Sequence, residues 1–137
     1  MEYLEKKKRM MKVMYVATIL TAGAIGVMML VAPDDFAKTM GFPHIEPLMG
    51  GVAASVFFAF ALASVFGFRA PLKFCPVLLM QLTYKSVWLI AVILPLALTN
   101  KLPDYSLFMI GIFAVIVIGD LLSIPFRYLL DKTDVKG

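Results

Sequence analysis

Five residues place hydrogen-bonding or ionisable groups inside oily sequence: Gln81, Tyr84, Lys85 and Trp88 in "QLTYKSVWLI", and Asp120 in "IVIGDLLSIPF". The first four follow an i, i+3, i+4, i+7 spacing, which gathers them on one face of a helix. Leu82, Leu89 and Ile93 fall on the opposite face. An ammonium at the middle of a membrane helix costs roughly 2.5–3.5 kcal/mol on insertion scales, so such residues face a bundle interior, pair, or line a polar path. Asp120 is the one other charge within an apolar run. At 1.5 Å per residue, Lys85 lies about 15 Å and Asp120 about 9 Å from the same side of the membrane. Side chains lean towards the N-terminus of their helix, so on antiparallel neighbours these two lean towards each other. The expectation is an intramembrane Lys85–Asp120 ion pair, with Gln81 and Tyr84 as hydrogen-bond partners. Such a pair either fixes register among the helices, or belongs to a cavity for a polar or amphipathic ligand or to a proton path. A third reading has Lys85 snorkel to the nearer surface.

Other chemistry is thinly supplied. No GxSxG, HExxH or paired histidine is present. The single histidine, His44, shares a loop with Asp34, Asp35 and Glu46 without any recurring ligand spacing, which reads as a solvated loop and not as a metal site. The single cysteine, Cys75, excludes an internal disulfide and a zinc cluster. The ten methionines are scattered, as flexible core filler would be. A nucleophilic Lys85 is disfavoured, because Asp120 would hold it charged. The reading leans away from an enzyme and names no cofactor.

The elements that position these residues follow from composition. Of 137 residues, 61% are hydrophobic and 16% charged, against about 25% charged in a soluble domain, and mean hydropathy is +0.90. Crossing about 30 Å of hydrocarbon takes about 20 apolar residues. Four such windows occur, at about 13–32, 48–68, 75–98 and 105–124, within one membrane domain covering 1–137. Without strand-like alternation each must be a helix, which gives an all-α, up-down-up-down bundle of four transmembrane helices. The first window is too long for a cleaved signal peptide and lacks an A-x-A site. Pro95 predicts a kink or early end in the third span. In the loop "PDDFAKTMGFPHIEP", Asp34 can cap a short amphipathic helix that Gly41 ends.

Ten Lys and Arg residues flank one side of these spans and two, Lys38 and Lys101, flank the other. The positive-inside rule then places both termini in the cytoplasm, in a cell membrane. The net charge of +4 thus serves orientation, and nucleic-acid binding is excluded. The lipid bilayer is the expected partner, with a homo-oligomer or a partner membrane subunit beside it.

Span two carries small residues every fourth position: Gly51, Ser55, Ala59, Ala63 and Gly67. This small-xxx-small stripe admits a close helix neighbour. The neighbour is either span one, with Ala22 and Gly26, or span four, with Gly111 and Gly119; the alternative is a homodimer seam.

The run "MMLVAPDDFAKTMGFP" followed by "GGVAASVFFAFALASVFG" resembles the DoxX-like group of small four-helix membrane proteins. A first helix ending in Pro, a short amphipathic helix and a Gly/Ala-rich second span carry the resemblance, over about the first half of the chain. It implies a four-helix bundle and, for some relatives, an accessory or assembly role. The Glu that members often carry early in span two is missing from "GGVAASV", so no quinone-linked role carries over. The functional expectation is a non-enzymatic integral membrane protein, accessory or partner-binding, around the Lys85–Asp120 pair. The alternative is a small transporter or ligand-binding membrane protein with its pocket on the Gln81, Tyr84, Lys85, Trp88 face.

Overall fold

A computed structural model describes residues 2–131. Lys132 and Lys136, which enter the charge asymmetry, lie outside the described residues. The described chain is all-α: α1 (Glu2–Val31), α2 (Pro33–Met40), α3 (Pro47–Arg69), α4 (Cys75–Trp88), α5 (Leu94–Leu98), α6 (Ser106–Ser123) and α7 (Phe126–Leu129). A π-helical turn, Leu89–Ile93, joins α4 to α5, so Cys75–Leu98 forms one span. Four helices, Glu2–Val31, Pro47–Arg69, Cys75–Leu98 and Ser106–Ser123, are long and apolar enough to cross a membrane, and they pack as a bundle.

The spans alternate in direction. Tyr15 of α1 donates from its hydroxyl to the Pro71 carbonyl between α3 and α4 (2.9 Å), and Lys7 Nζ donates to the Leu122 carbonyl in the last turn of α6 (2.6 Å). One end therefore gathers the start of α1, the end of α3, the start of α4 and the end of α6. Each helix touches its neighbours around the ring α1–α3–α4–α6. The Lys7 contact satisfies a carbonyl that a helix end leaves unpaired, with the charge sign that end favours.

Local chemistry sets the boundaries. Pro33 opens α2 from Ala32, with no side-chain cap; Asp34 sits in the first helical turn, where its charge suits the helix dipole, and does not cap as expected. Gly41 closes α2 at φ 79°, the left-handed region, while Phe42 N–H donates to the Ala37 carbonyl (2.9 Å). Asn100, at φ 54°, closes α5 the same way, with Lys101 N–H on the Leu96 carbonyl (2.9 Å). Glu46 caps α3 by accepting from the amides of Leu48 (2.9 Å) and Met49 (2.6 Å), and these bonds hold its carboxyl below the usual carboxylate range. The π turn stands where Pro95 removes an amide and crowds the carbonyl one turn back, so the expected irregularity takes the form of a widened turn and the span continues.

The tightest seam joins α1 to α3. A Cβ on Gly26 would lie 2.9 Å from both the Ala54 carbonyl oxygen and the Phe58 nitrogen, so the two backbones nearly touch. One on Gly67 would run into the Tyr15 ring. Of the small-residue stripe, Gly67 alone is buried in this seam; Ser55 and Ala59 are exposed, and with Gly51 they line an open outer groove beside Leu30, Val52 and Val56. The buried face of α3 is instead Ala54, Phe60, Ala61, Ser64 and Gly67. The reason is angular. A four-residue step on a helix of 3.6 residues per turn advances the stripe by about 40°, so it winds off any one neighbour.

The molecule is apolar outside and polar within. Val13, Leu20, Val31, Leu48, Val115 and Ile118 are among the exposed large residues, whereas Thr18, Ser64, Gln81, Lys85, Asp120 and Ser123 are buried. Water would not tolerate that surface, and hydrocarbon does. The protein is a small polytopic membrane protein.

Candidate functional site

Buried polar side chains from three spans meet through hydrogen bonds, and a fourth lies at about their height on α3. Gln81 Nε2 on α4 donates to Asp120 Oδ2 on α6 (3.0 Å), and Thr18 Oγ1 on α1 lies 3.1 Å from Gln81 Oε1 and 2.8 Å from its own Met14 carbonyl. The hydroxyl has one proton to give, to one acceptor or the other. Tyr15 packs on Gly67, and α1 and α3 run oppositely. Three residues on from Tyr15 is Thr18; three back from Gly67 is Ser64, which is therefore buried at about the same height on α3. The four side chains are sealed, Asp120 at 0% exposure and Gln81 at 1%. Asp120 Oδ1 and Ser64 Oγ have no hydrogen-bond partner in the protein.

Lys85 sits one turn further along α4 and 3% exposed. The expected Lys85–Asp120 ion pair does not form: the only salt bridge among the described residues is Lys8–Glu5, at 2.8 Å. Lys85 Nζ instead donates to Tyr84 Oη (2.6 Å) and lies 4.1 Å from the Phe113 ring centre, 4.6 Å from that of Tyr84 and 5.9 Å from that of Phe57. The physical reason is height. Asp120 is level with Gln81, and the one-turn difference to Lys85, about 6 Å, is taken up by an amide that reaches the carboxylate first. The ammonium turns the other way, towards Phe113, seven residues before Asp120 on α6.

The aromatic box has further walls. Phe60 lies 5.1 Å from Tyr84 and Trp88 lies 5.0 Å from Phe113, centre to centre. Ring faces carry negative potential, so an enclosed ammonium gains about 2 kcal/mol or more from a well-placed aromatic contact. Of the four residues expected on one face, Gln81 and Lys85 point inward. Tyr84 and Trp88 are half-buried at the rim, where they also line an outer groove of ≈ 730 Å³ with Met80, Thr83 and Val87.

The structure thus brings Gln81, Lys85 and Asp120 into the bundle interior with Tyr84 and Trp88 at its rim, but divides the five between a hydrogen-bonded layer and a cation–aromatic box. Sequence reasoning passed over Thr18, Ser64, Phe57 and Phe113. For Thr18 and Ser64 a signal existed: each is a hydroxyl on the buried side of its span and about level with Gln81. For Phe113 there was none, since eleven phenylalanines are spread through the chain. Among the described residues no group of three or more His, Cys, Asp or Glu side chains gathers as a metal site would need. Comparison of the chain with models of known protein families, with curated proteins and with solved structures returns no match.

Proposed function

We propose that this is a non-enzymatic membrane protein that acts through helix packing, as an accessory, assembly or partner-binding component. The polar layer then fixes which helix faces meet inside the bundle, and the apolar exterior is left for lipid and for other helices. The observation that carries this reading is the sealed interior: Gln81, Lys85 and Asp120 are each at least nine-tenths buried and each makes a hydrogen bond to another side chain, with Asp120 Oδ1 and Ser64 Oγ left unpartnered. A buried polar group in hydrocarbon is costly unless satisfied, so such groups act as register devices. The accessory role is also what the DoxX-like resemblance implies. The Lys and Arg residues crowd the end where α1 begins and α3 and α6 finish, which supports cytoplasmic termini. Purification of the full chain from its native membrane in a mild detergent tests the role. A second membrane subunit at fixed stoichiometry supports it, and a chain that elutes with lipid alone sinks it.

The alternative, a small transporter or ligand-binding protein with a pocket on the Gln81, Tyr84, Lys85, Trp88 face, has one observation in its favour. Tyr84 and Trp88 connect the Lys85 box to the outer groove. Trp88 is the only tryptophan, so quenching of its emission by an added amphipathic ligand tests that reading directly.

A further inference from the structure

The geometry points to a docking site for an anionic phospholipid headgroup at the corner where α1 enters the bundle beside the end of α3. Arg9, Lys12, Val13, Val16 and Leu20 follow one face of α1, and all five are exposed. The face is cationic for its first turn and apolar afterwards, the profile of one phospholipid lying along a helix. Lys12 Nζ stands 5.5 Å from the centre of the Phe68 ring on α3, which directs the ammonium across the α1–α3 seam. Arg69, exposed, follows Phe68 and ends that helix. Arg9, Lys12 and Arg69 therefore flank one corner.

Two of the neighbouring cations are already engaged, while Lys6 and Lys73 are exposed at the same end and add to its positive charge. Lys7 is spent on the Leu122 carbonyl and Lys8 on Glu5. The acidic groups described near this end are Glu2, Glu5 and Asp131; Glu5 is bound to Lys8, and Glu2 lies about two turns further out along α1. A phosphodiester with a net negative charge complements three cations at headgroup depth, while its chains pack on Val13, Val16 and Leu20. A zwitterionic headgroup brings its own ammonium to the same place and loses most of that gain. This inference stands independently of the accessory role, because it concerns the outer corner and neither the interior nor a protein partner.

The test is lipid retention by the purified full chain in neutral detergent, read by native mass spectrometry during titration with phosphatidylglycerol or phosphatidylcholine. Each Lys or Arg near the surface contributes about fivefold in affinity. The triple variant Arg9→Gln, Lys12→Gln, Arg69→Gln is expected to lose about a hundredfold in phosphatidylglycerol retention. The Lys38→Gln, Lys101→Gln variant, altered at the opposite end, is expected to retain lipid as the parent does. Should the triple variant lose its helical circular dichroism, the exposed single changes Arg9→Gln and Arg69→Gln carry the test at about fivefold each. Equal retention of the two lipids by the parent chain, or undiminished phosphatidylglycerol retention by the variants, overturns the site.

Discussion

The two buried charges of this bundle are accommodated by different physics. Asp120 meets a neutral amide, Gln81, through Oδ2, and that amide is itself within reach of the Thr18 hydroxyl, so the dipoles around it come from two neighbouring helices. Lys85 meets ring faces and one phenol, so its charge rests on quadrupoles and a single hydrogen bond. The two groups do not touch; each is held by a different protein partner, and the Asp120 carboxyl keeps one oxygen, Oδ1, without any. The carboxylate layer is directional and short-range, and it fixes register. The aromatic box is broader in angle and tolerates small displacements of its occupant.

The comparison is broken most sharply at Gln81. Gln81→Leu removes the one donor to the Asp120 carboxyl among the described residues, and an uncompensated buried charge costs about 3–5 kcal/mol. The expected outcome is a severe loss of folded protein in detergent, read by size-exclusion yield and thermal midpoint; a yield equal to that of the parent chain would show that the layer is not what holds Asp120. Phe113→Ala should follow, at about 3 kcal/mol for a truncated buried aromatic, with a red shift of Trp88 emission as the box opens. Phe113→Leu should cost less in packing while still losing the cation–aromatic contact of about 2 kcal/mol.

Double-mutant cycles sharpen the comparison further. Contacting residues couple by about 0.5–3 kcal/mol. The Gln81→Leu/Asp120→Leu cycle should show the larger coupling and the Lys85→Met/Asp120→Leu cycle the smaller, by unfolding in mixed micelles. The reverse order would mean that Lys85 and Asp120 meet after all. The smallest effect is expected at Glu46, a carboxylate held in the open by two backbone amides. Its depressed pKa means that its contribution to stability is present above the unfolded value of about 4.3 and is lost as pH falls through the lower folded value. Glu46→Ala should remove that acid-side step from the pH dependence of the thermal midpoint and leave the neutral-pH interior untouched.

Span number, span order and the short α2 helix were legible because length, hydropathy and Pro/Gly punctuation are local properties. The predicted window 75–98 coincides with the observed span Cys75–Leu98 for that reason. The Lys85 environment was not, because it depends on which of two side chains reaches Asp120. The height estimate already set Asp120 about 9 Å from the membrane face, and six residues after Cys75 sets Gln81 at about the same 9 Å. Charge complementarity was allowed to outweigh that match. The seam of α3 was legible on the α1 side, where Gly26 and Ala22 are buried, and less so on α3 itself. A stripe of small residues shows that a close approach is permitted, but the approach that occurs runs through Gly26, whose partners Ala54 and Phe58 do not belong to the stripe. The π turn leaves no compositional trace beyond Pro95, which is equally compatible with a kink.

The Lys7–Leu122 contact joins positions 115 residues apart. During synthesis the segment bearing Lys7 leaves the ribosome well before its acceptor. The ring of helices can be drawn shut only after α6 has entered the bilayer. Until then α1 has α2, α3 and α4 to lean on, and its α6 side stays open to lipid.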